Sequence, residues 1–135
     1  MKRYFALMAA LLLVGGASSV TASTYSNAVT AGDYLYVSAQ LPVDESGSVI
    51  VGDMQTLTNY VLDQVQHLLR VKGFDMQQVV KTEVYLTDMR NYDAMDSTYG
   101  SRFNFRYPPA RDVVVASGLP YNSPIQISCI AYKHR

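Results

Sequence analysis

The sequence predicts one α/β domain of the α+β kind, with its elements in the order ββαβαββ. Three observations carry that prediction. Apolar residues recur every three or four positions from Met54 to Leu69, as on one face of a helix. Val79 to Leu86 and Ile125 to Tyr132 alternate instead, as strands with one buried face do. Between these segments stand glycine, proline and aspartate clusters of the kind that turn a chain, with no repeat, low-complexity tract or linker to divide it.

Tyr34 to Ser38 follows the Gly32-Asp33 turn signal and is rich in β-formers, so it reads as a strand ended by Leu41-Pro42. Asp44 to Ser48 has turn chemistry, and Val49 to Val51 reads as the return strand of a hairpin. Asp53 is placed to cap the first helix, whose apolar face is Met54, Leu57, Val61, Val65, Leu68 and Leu69. Gly73 stands where a left-handed C-terminal cap is needed. The next strand, Val79 to Leu86, puts Val80, Thr82, Val84 and Leu86 on one face and Lys81, Glu83 and Tyr85 on a wetter one. A second helix starts at Asn91 or Asp93, carries Met95, Tyr99 and Phe103 on its apolar side and ends near Phe105. Val113 to Val115 and Ile125 to Tyr132 complete the set. With both helices on one face of the sheet, a chain this short has nothing left to cover the other, and oligomerisation is the natural cover.

Residues 1–22 read as a cleavable export signal rather than as part of the fold. Lys2 and Arg3 precede the apolar run Phe5 to Val14, which is short for a membrane span, and Val20-Thr21-Ala22 has the small-x-small pattern for a cut before Ser23. The expected destination is outside the cytoplasm, in a bacterium the periplasm. The mature domain, 23–135, contains no second hydrophobic segment to hold it in a membrane. Losing Lys2 and Arg3 leaves nine basic against eleven acidic side chains, a formal charge of −2 with the basic residues scattered, so no nucleic-acid surface is expected.

Chemistry-bearing residues are few. His67 lies in the first helix and His134 at the C-terminus, which gives no partner set for a nucleophilic triad and no metal-ligand spacing; both read as solvated surface residues. Cys129, the only cysteine, alternates in step with Ile125, Ile127 and Ala131 and reads as core, so no intrachain disulfide is possible. The most informative segment is Tyr107 to Val113, where Pro108-Pro109-Ala110 delivers Arg111 to the beginning of an apolar strand. A guanidinium there needs an anion, and Asp112 points to the opposite side of the strand. From the residues alone, a structural ion pair and a ligand clamp both remain open.

Four ordered motifs, Tyr25-Ser26-Asn27-Ala28-Val29, Tyr36 to Pro42, Val79 to Met89 and Pro109-Ala110-Arg111, make the mature chain resemble the Rid family of reactive imine and enamine deaminases, also described as YjgF-like or L-PSP endoribonuclease-like. The resemblance implies a chorismate-mutase-like fold, a homotrimer with sheets facing inward and a ligand cleft at each subunit interface. It also implies hydrolysis of small 2-imino or 2-enamino carboxylic acids to 2-keto acids and ammonia, with no metal or organic cofactor. On this pattern Arg111 grips the substrate carboxylate, Tyr25 walls the cleft, Ser38 and Ala39 line it, and the Val113 carbonyl helps hold the attacking water.

Two departures stand out. Ala39 replaces the glycine of the family's usual Ser-Gly-Gln, adding a methyl group at the cleft. Gln126 stands where deaminating members commonly carry a glutamate, and an amide cannot exchange a proton at neutral pH, although it can still position water, with Ser128 on the same strand face. The alternative reading is a non-catalytic trimer of the same fold that binds small carboxylates. A ribonuclease would follow from the family label, but the acidic mature chain and the missing pair of histidines argue against it. Signal cleavage would leave Tyr25 as the third residue of the mature chain and separate it from cytoplasmic imine-producing enzymes, which points to a changed ligand.

Overall fold

The computed structural model describes residues 23–104 and 106–135. The proposed export signal and Phe105 lie outside the described residues. Five strands, β1 (Ala28–Ala31), β2 (Tyr34–Gln40), β3 (Val79–Leu86), β4 (Ala110–Val115) and β5 (Ile125–Tyr132), form one sheet in the order β1-β2-β5-β3-β4. Two helices, α1 (Met54–Val71) and α2 (Tyr92–Gly100), complete the ββαβαββ order. The β3–β4 pair is parallel and is joined through α2; the other pairs are antiparallel.

The first helix forms for the reasons its sequence gives. Asp53 Oδ1 accepts the Thr56 N–H at 2.8 Å, satisfying an orphan donor of the first turn. Gly73, at φ +80°, closes the other end: its N–H reaches the Arg70 carbonyl and that of Phe74 reaches the Leu69 carbonyl, the double bond of a Schellman cap. The face between these caps buries Met54, Leu57, Val61, Leu62, Val65 and Leu69 against Leu35, Val84, Ile127 and Ala131 of the sheet.

Strand β5 alternates through its whole length, with Ile125, Ile127, Cys129 and Ala131 buried and Gln126, Ser128, Ile130 and Tyr132 facing the open side. Cys129 is core, as its alternation predicts. Burial pushes its thiol from an ordinary value of 9.0 to about 12. The folded protein is therefore expected to resist iodoacetamide at pH 8, by about 10³-fold relative to a free thiol, and to label only on unfolding; mass spectrometry with and without denaturant checks this. Because the unfolded chain loses this proton first, the same shift makes stability fall as pH rises between 9.0 and about 12.

Three sequence expectations need correction. Val49 to Val51 is not the return strand of the hairpin: only an isolated bridge joins Val43 to Val49, and Val51 is almost fully exposed. The partner of β2 is β1, through a two-residue Gly32-Asp33 loop with Gly32 at φ +57°. With β1 on one edge of β2 and β5 on the other, no edge is left for Val49 to Val51. In β3 a register shift between Val79 and Lys81 turns Val79, not Val80, into the core, as a bulge does. Finally, α2 ends at Gly100, and Phe103 packs against the Tyr99 ring from beyond the helix, with centroids 4.5 Å apart.

The face of the sheet opposite the helices is left uncovered by the described residues. It exposes Val29, Tyr34, Tyr36 and Val114, a broad apolar surface for a domain of this size.

Candidate functional site

The residues singled out by sequence fall into two groups on opposite faces of the sheet. Arg111 belongs to the helix face. It pairs in register with Thr82 of β3, which is buried there, while its neighbours Ala110 and Asp112 pair with Lys81 and Glu83 on the open face. Asp112 makes its ion pair with Lys81, so it is no partner for Arg111, as strand alternation predicts.

The anion that Arg111 needs comes from α2. Its Nη2 lies 2.7 Å from Asp96 Oδ1 and donates to the Tyr92 hydroxyl at 3.2 Å. The guanidinium carbon sits 4.7 Å from the centroid of the Tyr99 ring, within cation–π range. That ring is itself fixed, because its hydroxyl and the buried Thr82 hydroxyl share a hydrogen bond of 2.6 Å. Burial raises the Tyr99 phenol, partly offset by that bond and by the nearby Arg111 charge. The Arg111 side chain is 20% exposed, and its Nε and Nη1 donors have no partner among the described residues. An arginine held from below by a ring and on one side by a carboxylate, with the rest of its fork unused, is preorganised to receive a second carboxylate. Val113, two residues along β4 on the same face, packs against the core.

The other group lies toward the open face. Gln126 is half-buried opposite Tyr85, and Ser128 stands opposite Glu83. Ser38 falls in a second irregularity, between Val37 and Gln40, where β2 carries one more residue than β5 can pair; Ala39 is the other residue of that bulge. The Ser38 hydroxyl donates to the Ser26 carbonyl at 2.6 Å and its N–H to the Asn27 carbonyl at 2.9 Å, which moors the exposed Tyr25 segment beside it. A groove of about 260 Å³ runs from Tyr36 and Ser38 past Lys81 and Glu83 to Ser128.

The structure therefore gathers Tyr25, Ser38 and Ala39 in one region, places Ser128 across the groove from Ser38 with Gln126 farther along the same strand, and sets Arg111 and Val113 apart on the other face. No single chain brings Arg111 and Gln126 together. Sequence reasoning missed Asp96 and Tyr92; the signal was their spacing on α2, where Tyr92, Asp96 and Tyr99 share one helix face. It also left Lys81 and Glu83 as merely wet, although they line the groove. Among the described residues no group of histidine, cysteine and acidic side chains could hold a metal ion, and no helix is long and apolar enough to cross a membrane.

Known proteins share this fold. Residues 16–133 match the model of a family described as endoribonuclease L-PSP. A RutC family protein of Pyrococcus horikoshii is 36% identical over 110 residues, which cover 81% of this chain and 86% of that protein. Among solved structures, a putative endoribonuclease of Thermotoga maritima superposes with a TM-score of 0.78 at 33% identity, covering 85% of this chain and 91% of the other. RidA from an Antarctic Psychrobacter gives a TM-score of 0.75 at 29% identity, covering 82% and 89%.

Proposed function

The chain belongs to the Rid or YjgF-like family whose model is described as endoribonuclease L-PSP, and on that premise we propose that it hydrolyses small 2-imino or 2-enamino carboxylic acids to 2-keto acids and ammonia. The observation that carries this reading is the half-used fork of Arg111. Its free Nη1 takes the substrate carboxylate, leaving the imine carbon open to water held by the Val113 carbonyl and Gln126. Because Arg111 and Gln126 lie on opposite faces within one chain, the cleft is completed by a second copy. The uncovered sheet face, with Val29, Tyr34, Tyr36 and Val114 exposed, supports a homotrimer with its sheets inward. Tyr25, Ser38 and Ala39 then line the same interface cleft. No metal or organic cofactor enters the step.

The test is to generate imino acids in situ with an amino-acid oxidase and follow keto-acid release. Release above the spontaneous rate is expected; release at the spontaneous rate would rule out turnover. One observation favours a second reading, a trimer that binds small carboxylates without turnover: Gln126 has no proton to give or take at neutral pH. Binding of 2-ketobutyrate without acceleration would select it. We do not adopt the ribonuclease of the family's description, because His67 and His134 stand on separate parts of the fold, the latter stacked edge-on against Tyr132.

We further propose that residues 1–22 direct export and are cut before Ser23. Expression of the full chain in a bacterium should yield a periplasmic product beginning at Ser23, read by N-terminal sequencing. A cytoplasmic product still beginning at Met1 would overturn this.

A further inference from the structure

We propose that Asp96 restricts the Arg111 clamp to monocarboxylates, an inference that rests on the reading of Arg111 as the substrate clamp. Asp96 occupies Nη2 of the guanidinium at 2.7 Å, the nitrogen common to both two-point edges of the fork, so a ligand carboxylate on the remaining Nη1 shares a single positive charge with a carboxylate already in place. The Asp96–Arg111 pair is neutral as a unit. A first ligand carboxylate gains a directed, charge-assisted hydrogen bond there but little net attraction, whereas a second carboxylate on the same ligand meets an uncompensated negative charge. The other cations nearby in the fold are engaged elsewhere: Lys81 with Asp112 on the open face, and Arg102 with Asp63. Tyr92 and Tyr99 contribute a hydroxyl and a ring face and no charge. Asp96 thus acts through Arg111, as a positioning residue that fixes both the free Nη1 and the effective charge of the group. It is only half-buried, which screens the effect to about one order of magnitude in affinity.

The readout is calorimetric binding of 2-ketobutyrate, a monocarboxylate, and 2-oxoglutarate, a dicarboxylate, to the purified protein at low and high salt. The parent should prefer 2-ketobutyrate. Asp96→Asn keeps an oxygen to orient the guanidinium while removing the charge; it should narrow that preference by about tenfold and make binding of both ligands more salt-sensitive. Asp96→Glu restores the charge and should restore the preference. A parent that binds 2-ketobutyrate, with an Asp96→Asn variant whose preference and salt dependence are unmoved, overturns this inference and leaves the clamp standing. A parent that binds neither ligand overturns the clamp itself, and this inference with it.

Discussion

Arg111→Ala is expected to lower kcat/KM for imine hydrolysis by about 100-fold and to remove measurable 2-ketobutyrate binding. The size follows from what the side chain supplies. A charge-assisted hydrogen bond from the guanidinium meets the carboxylate, and deleting one partner of such a pair typically costs about 3 kcal/mol, or two decades in rate. The fold should survive the change. Asp96, left without its partner, is 47% exposed and can be rehydrated, so the lost ion pair is worth about 1 kcal/mol or less. Near-parental thermal unfolding together with the catalytic loss would separate a clamp from a structural ion pair, the two roles that the residues alone left open. Arg111→Lys sharpens the distinction: it keeps the charge but not the fork, and should recover only part of the affinity. Equal keto-acid release by the parent and Arg111→Ala would mean that the ion pair with Asp96 is all that Arg111 does.

That the strand arginine needs an anion was legible in the sequence; which anion was not. The need follows from local chemistry, a guanidinium among Val113, Val114 and Val115, and alternation alone disqualified Asp112. Naming Asp96 requires knowing that α2 crosses back over β3 and β4, a tertiary fact. The same boundary runs through the fold. Helix α1 and strand β5 could be read because their faces repeat without interruption and, in α1, because Asp53 and Gly73 mark the ends. Strand β1 could not, because Ala28–Ala31 is less β-like than Val49 to Val51, and the edge of β2 goes to whichever segment the turn geometry presents. Bulges are opaque to periodicity by nature: one extra residue between Val79 and Lys81 exchanges Val79 for Val80 in the core. The separation of Arg111 from Gln126 is a matter of strand order, which no single strand encodes, and it is this separation that makes a second copy necessary to the proposed cleft.

Restoring a carboxylate at the water position should change the chemistry most in the gaining direction. Gln126→Glu is expected to accelerate imine hydrolysis by about 100-fold at neutral pH, the lower end of what a positioned general base contributes. Glutamate is nearly isosteric with glutamine, and position 126 is half-buried on the open face, so the substitution disturbs neither the β5 core residues nor the pairing with Tyr85. The new carboxylate has Glu83 as a diagonal cross-strand neighbour, at about 7–8 Å by sheet geometry, and that like charge raises its pKa and with it its strength as a base. The variant's rate should therefore rise with pH through an ionisation above the ordinary glutamate value of about 4.3 and then level off, a limb absent from the parent. The pH profile carries the discrimination, since a rise without that limb would come from altered packing rather than proton transfer. An unchanged rate, with 2-ketobutyrate still bound through Arg111, would mean that water activation is not what the parent lacks. The clamp would then be the whole of its retained chemistry, and a trimer that holds small carboxylates without turning them over would become the better description of the protein.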